Sequence, residues 1–120
     1  MKKFLLVSDD ASKQAQIREI LEQAGNYQLT IAASPKTARE QIENGTWDVI
    51  FWDYYLITAT GMDTTIELTR LARSKFPQAK MTAFSIEPGF FRLQREAGCD
   101  HELDPGTHPA LLPKLVLQYS

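Results

Sequence analysis

The sequence predicts an α/β fold, a doubly wound parallel sheet of five strands, and three observations carry that expectation. Strand-like and helix-like segments alternate along the whole chain, the pattern of βαβ units around a parallel sheet. The run Val49-Ile50-Phe51-Trp52 shows no polar alternation, as expected of a strand covered on both faces. It ends in Asp53, and the other strongly apolar run, Phe4-Leu5-Leu6-Val7, leads through Ser8 to Asp9 and Asp10. Polar side chains where buried strands leave the core mark the edge at which open α/β sheets keep their chemistry.

Phe4 to Val7 is the first predicted strand. Ile17, Ile20, Leu21 and Ala24 then fall at helical spacing, with Gly25-Asn26 as the stop. Tyr27 to Ala33 reads as the second strand, and Ser34-Pro35 opens the next helix as an N-cap followed by proline at the first helical position. That helix ends near Asn44-Gly45, before the third strand, Val49 to Trp52. A loop from Asp53 to Gly61 is expected to lead into a helix in which Leu68, Leu71 and Ala72 share a face, ending before Pro77. Met81 to Phe84 is the fourth strand. Pro88-Gly89 limits the segment from Glu87 to Ala97 to a short helix, and His101 to Leu103 forms a weak fifth strand. The last helix carries Leu112, Leu115, Val116 and Tyr119 on one stripe; because proline is tolerated only in a first turn, Pro113 puts its regular start near Leu112.

At 120 residues the chain is the size of one domain, read as spanning residues 1–120, with one core. Its 43% hydrophobic and 23% charged residues exclude disordered and collagen-like classes. With 13 basic and 15 acidic side chains, a net charge of -2 and no massed Lys or Arg, nothing points to nucleic acid or an anionic membrane. The single cysteine, Cys99, excludes an internal disulfide and fits a reducing compartment, as a small buried hydrophobe. The apolar stretch after Met1-Lys2-Lys3 is too short for a signal peptide, and no segment has transmembrane length, so the expected location is cytoplasmic. The chain ends where such a fold would end, so any output domain is expected to lie outside it.

Carboxylates at the ends of two strands of one parallel sheet share a crevice, and such a crevice attracts a divalent ion. Asp9 and Asp53 meet the minimum that Mg²⁺ requires, with Asp10 serving either as a ligand or as the N-cap of the first helix. Neither His101 nor His108 has a second ligand at metal-binding spacing. The first strand is followed by Ser8-Asp9-Asp10-Ala11, which excludes the glycine fingerprint of a dinucleotide-binding domain and a P-loop. Phe90-Phe91 reads as two rings packed against the fourth strand, or as one buried ring and one exposed at an interaction surface.

Taken together, Asp53 after its apolar run, Gly61 beyond it, Ser85 at the end of the fourth strand, Ala97-Gly98-Cys99-Asp100 and Pro105 resemble the receiver domain of bacterial response regulators. The resemblance covers essentially the whole chain and implies a flavodoxin-like fold with strand order 2-1-3-4-5. It implies phosphoryl transfer from a histidine kinase or phosphotransfer protein to Asp53, with Ser85 as the hydroxyl that binds the phosphoryl group. It also implies Asp9, Asp53 and Tyr55 as metal-contacting residues for a weakly held Mg²⁺, and His101 as a switch residue on the fifth strand. No enzymatic activity follows beyond self-catalysed transfer to Asp53, and the implied partners are that phosphodonor and a downstream protein or output domain.

Three residues depart from the family pattern. Ser8 stands where an acid is usual, Ile86 is bulky where alanine or glycine admits the phosphodonor, and Asp104 replaces the lysine before Pro105. Lysine to aspartate reverses a charge that phosphoryl transfer needs, and two like charges about 4 Å apart cost on the order of 4 kcal/mol at an effective dielectric of about 20. Two readings therefore stand: a phosphorylation switch acting through Asp53, Asp9 and Ser85, and a pseudo-receiver that binds proteins without regard to phosphate.

Overall fold

The two apolar runs lie side by side and parallel at the centre of a sheet, in register from Phe4↔Val49 to Val7↔Trp52, and all their side chains are buried. The computed structural model describes residues 1–25, 27–85, 88–103, 113–114 and 118. In chain order it contains β1 (Lys2–Val7), α1 (Ala11–Ala24), β2 (Tyr27–Ala32), α2 (Pro35–Asn44), β3 (Val49–Trp52), β4 (Tyr55–Thr58) and β5 (Gly61–Thr64). There follow α3 (Ile66–Lys75), β6 (Lys80–Phe84), a 3-10 turn over Pro88–Phe90, α4 (Phe91–Ala97) and β7 (His101–Leu103). Five parallel strands pair in the order β2-β1-β3-β6-β7, which is the expected 2-1-3-4-5 order once the separate two-stranded pair β4-β5 is set aside.

Strand alternation divides the interior into two cores. Leu5, Val7, Ile50, Trp52, Met81 and Ala83 face α2 and α3, where Ala38, Ile42, Leu68 and Ala72 are buried against them. Phe4, Leu6, Val49, Phe51 and Phe84 face the other way, toward Ile17 and Leu21 of α1. The aromatic rings on that side interlock, with Phe4 and Phe51 stacked at 6.1 Å and Phe51 meeting Phe84 edge-on at 5.8 Å.

Helix starts follow the capping chemistry of the sequence. Asp10 caps α1, its Oδ1 accepting from the N–H groups of Ser12 and Lys13 at 2.9 and 3.2 Å. Ser34 Oγ accepts from the Thr37 N–H at 3.1 Å, with Pro35 in the first turn of α2. The end of α3 is held by Arg73, whose guanidinium donates to the carbonyls of Ala79 at 2.8 Å and Gly98 at 2.7 Å and reaches Asp100 Oδ2 at 2.8 Å. Gly98 has φ 129°, and a Cβ there would sit 2.9 Å from the Arg73 side chain, so both backbone shape and space require glycine.

Two expectations change. The segment after Asp53 is not a simple loop: Tyr55–Thr58 and Gly61–Thr64 form an antiparallel hairpin around Ala59-Thr60, with the strand formers Tyr55, Ile57 and Thr58 on its first arm. In α1, Ala24 is exposed and Ile20 only half-buried, while Lys13 is buried on the stripe of Ile17 and Leu21. Pro113, Lys114 and Gln118 are helical, as expected of the last helix. Its stripe of Leu112, Leu115, Val116 and Tyr119 lies outside the described residues, as do Ile86, Asp104, Pro105 and His108. Among the described residues no helix is long and apolar enough to cross a membrane.

Cys99 is buried, as its reading as a small hydrophobe expected. Burial first, and the neighbouring Asp100 carboxylate second, push its thiol from an ordinary value of 9.0 up to about 12, against a smaller opposing effect of Arg73. The folded thiol therefore stays protonated where the unfolded one ionises, so its contribution to stability is intact below about 9 and is lost as pH rises toward about 12. Alkylation of Cys99 at mildly alkaline pH is expected only on unfolding, and mass spectrometry across a urea series checks this.

Candidate functional site

Asp53 is the first residue beyond β3, and its N–H donates to the Val7 carbonyl at 2.9 Å, continuing the ladder to the last residue of β1. That pairing brings Ser8 against Asp53. Ser8 Oγ donates to Asp53 Oδ2 at 3.0 Å and accepts from the Asp10 N–H at 3.1 Å, so a fully buried hydroxyl has both its proton and a lone pair engaged. Asp53 Oδ1 accepts from the Tyr54 N–H at 2.9 Å.

The third partner of the carboxylate is a cation that comes from α1. Lys13 Nζ lies 3.0 Å from Asp53 Oδ1, with the two side chains only 8% and 12% exposed. The same ammonium stands 5.8 Å from the centre of the Phe84 ring, a cation–π contact on its apolar side. Burial lowers the screening of this pair by solvent and salt, which sets it apart from the surface pairs Arg39–Glu43 and Arg92–Glu96.

Asp9 is half-buried beside this group but faces another task. Its Oδ2 accepts from the Ile57 N–H at 2.7 Å and so ties the β4-β5 hairpin to the end of β1. Thr65 closes the base of the hairpin, its hydroxyl donating to the Asp53 carbonyl at 2.6 Å and its N–H to the Tyr54 carbonyl at 2.9 Å. The chain thus leaves and returns at Asp53.

Ser85 is buried just past the end of β6, the neighbour of β3 in register Trp52↔Ala83, and so reaches the same sheet edge as Asp53. His101 is half-buried in β7 opposite Thr82. Tyr55 opens β4 and packs its ring edge-on against Phe90 at 5.3 Å. Tyr54 is buried and stacks face to face on Phe90, with ring centres 4.0 Å apart and planes 16° from parallel. Phe90 therefore packs on the segment just beyond Asp53, while Phe91 packs against the core that holds Trp52 and Met81. The Trp52 carbonyl accepts from Nε2 of Gln94, a fully buried residue of α4.

The structure thus gathers Asp53, Ser8, Lys13 and Ser85 at one edge, with Asp9 and Tyr55 at the adjoining hairpin. Among the described residues no three acids, histidines or cysteines come together as a metal-binding group. The donor chemistry does not suit Mg²⁺ as a resident ion: one Asp53 oxygen is paired with an ammonium, the other receives a hydroxyl proton, and an Asp9 oxygen receives an amide proton. Lys13 was not legible as a site residue, although one signal was present. It sits one turn before Ile17 on the buried stripe, and in the first turn of a helix, where the dipole opposes a cation.

A sequence model described as the response regulator receiver domain matches residues 4–100. No match to a curated protein was found. Among solved structures, response regulator protein TrrA of Thermotoga maritima, in complex with Mg(2+)-BeF, is similar with TM-score 0.81 and 20% identity, over 100% of each chain. A CheY-like response regulator receiver domain protein of Methanospirillum hungatei JF-1 has TM-score 0.79 and 24% identity, over 99% of this chain and 94% of that one. Chemotaxis protein CheY4 of Vibrio cholerae has TM-score 0.77 and 22% identity, over 100% and 99% of the two chains.

Proposed function

Because the chain belongs to the response regulator receiver domain family, we propose that it serves as the receiving module of a two-component relay, with Asp53 as the phosphoacceptor. The observation that carries this reading is the Lys13 ammonium 3.0 Å from the Asp53 carboxylate. A carboxylate oxygen attacks the phosphorus of a phosphohistidine on a kinase or phosphotransfer protein, the P–N bond breaks, and the leaving imidazole keeps the electron pair. Transfer of this kind rests on positioned positive charge around the phosphoryl oxygens. Asp104 stands where the family's lysine would supply that charge; Lys13 supplies one from the opposite end of the chain.

In this reading residues 1–120 act as one cytoplasmic unit, Ser85 binds the phosphoryl oxygens, and a downstream protein or output domain responds. The chain modifies only itself and turns over no separate substrate. Any Mg²⁺ at Asp9, Asp53 and Tyr55 competes with Lys13 and binds weakly. A second reading, the phosphate-independent interaction module, is favoured by the full set of hydrogen bonds on both Asp53 oxygens and by their burial.

Intact-mass measurement after incubation with acetyl phosphate separates the two. Wild type is expected to gain the mass of one phosphate, and the Asp53→Asn variant none. A wild-type chain that stays unmodified over many hours overturns the phosphoacceptor role of Asp53 and leaves the interaction module as the reading.

A further inference from the structure

We infer that Lys13 is a built-in counter-ion that takes over the charge-balancing role of a divalent metal ion, so that Asp53 is held ready for phosphoryl transfer without magnesium. The transfer itself rests on the receiver reading above, whereas the counter-ion role rests on geometry alone.

Burial and position make the first argument. The ammonium is 3.0 Å from Asp53 Oδ1, and both side chains are nearly withdrawn from water. Lys13 lies in the first turn of α1, where the helix dipole opposes a cation, so its place there depends on the carboxylate it meets. Its backbone N–H is fixed by the Asp10 cap, and its side chain follows the Ile17 and Leu21 stripe toward the sheet.

Charge and donor chemistry make the second. Lys13 balances Asp53, which leaves Asp9 as the uncompensated acid of the group, and Asp9 already accepts the Ile57 N–H. A divalent ion placed against Asp53 would meet the ammonium as a like charge in a poorly screened environment. Ser8 does not help such an ion, since its hydroxyl gives its proton to Asp53 and takes the one from the Asp10 amide. Both Asp53 oxygens and one Asp9 oxygen, which a metal would need, thus already face protein donors.

Two measurements on the full chain test this. In the first, thermal melting is followed in EDTA and across a Mg²⁺ titration. Wild type is expected to melt at the same temperature throughout, while Lys13→Met, with Asp53 left unbalanced, is stabilised by Mg²⁺ and binds it at least about tenfold more tightly. The double variant Lys13→Met/Asp53→Asn, which removes both charges of the pair, should again ignore Mg²⁺. Should Lys13→Met fail to fold, the comparison of wild type with the double variant decides: a saturable Mg²⁺ response in wild type that the double variant lacks overturns the inference, and flat titrations of both support it.

In the second measurement, acetyl phosphate is added with Mg²⁺ or with EDTA. The attacking Asp53 oxygen forms the new P–O bond, and acetate departs with the electrons of the broken one. Equal rates of mass gain in the two conditions support the inference. A gain that requires Mg²⁺ overturns it while leaving the receiver reading in place. No gain in either condition removes the receiver reading, and the melting titration then decides the counter-ion role on its own.

Discussion

Replacing Lys13 with methionine is expected to destabilise the fold by about 3–5 kcal/mol, the typical result of removing one partner of a buried ion pair. The magnitude comes from what is left behind more than from what is lost. Asp53 would keep a negative charge among Phe84, Tyr54 and the strand ends, with only the Ser8 hydroxyl and the Tyr54 amide to support it. Adding Asp53→Asn is expected to return most of that stability, since a neutral amide can keep the Tyr54 bond at its oxygen and donate from its nitrogen to the Ser8 hydroxyl, with no charge to desolvate. Urea unfolding of wild type, both single variants and the double variant gives the coupling directly, and a coupling near zero would mean that the pair contributes nothing.

Arg73→Met should cost about 3 kcal/mol, measured in the same way. The ion pair with Asp100 is the lesser part, because those side chains are 25% and 39% exposed and solvent screens them. The greater part is a set of backbone carbonyls, those of Ala79 and Gly98 above all, that take their hydrogen bonds from one planar guanidinium. Lysine at this position should recover little, since a single ammonium cannot match a fork that serves the end of α3, the approach to β6 and the turn after α4 together.

The central strands were legible because burial on both faces leaves no polar residue in Phe4–Val7 or Val49–Trp52, and the start of α2 because Ser34-Pro35 has few other uses. The acids at the sheet edge were legible for the same reason, a polar residue ending an apolar run. The hairpin was not, because Tyr55–Thr58 and Gly61–Thr64 pair only with each other, and β5 buries none of its residues against the core. Lys13 escaped because its partner is set by the sheet: parallel pairing of β1 with β3 carries Asp53 beneath α1, and no local pattern in a helix states which strand end it will cover.

The stack of Tyr54 on Phe90 makes the carboxylate and the start of α4 parts of one mechanical train. At one end the Tyr54 amide grips Asp53 Oδ1, and at the other its ring lies flat on the residue immediately before that helix. Gln94, from the helix itself, grips the carbonyl on the other side of Asp53. An ångström of travel at the strand end must therefore drag the helix along, slide one aromatic plate across another, or snap a buried hydrogen bond. Rigid plates transmit displacement where a floppy loop would absorb it, so the start of α4 is tied to the position of the Asp53 carboxylate.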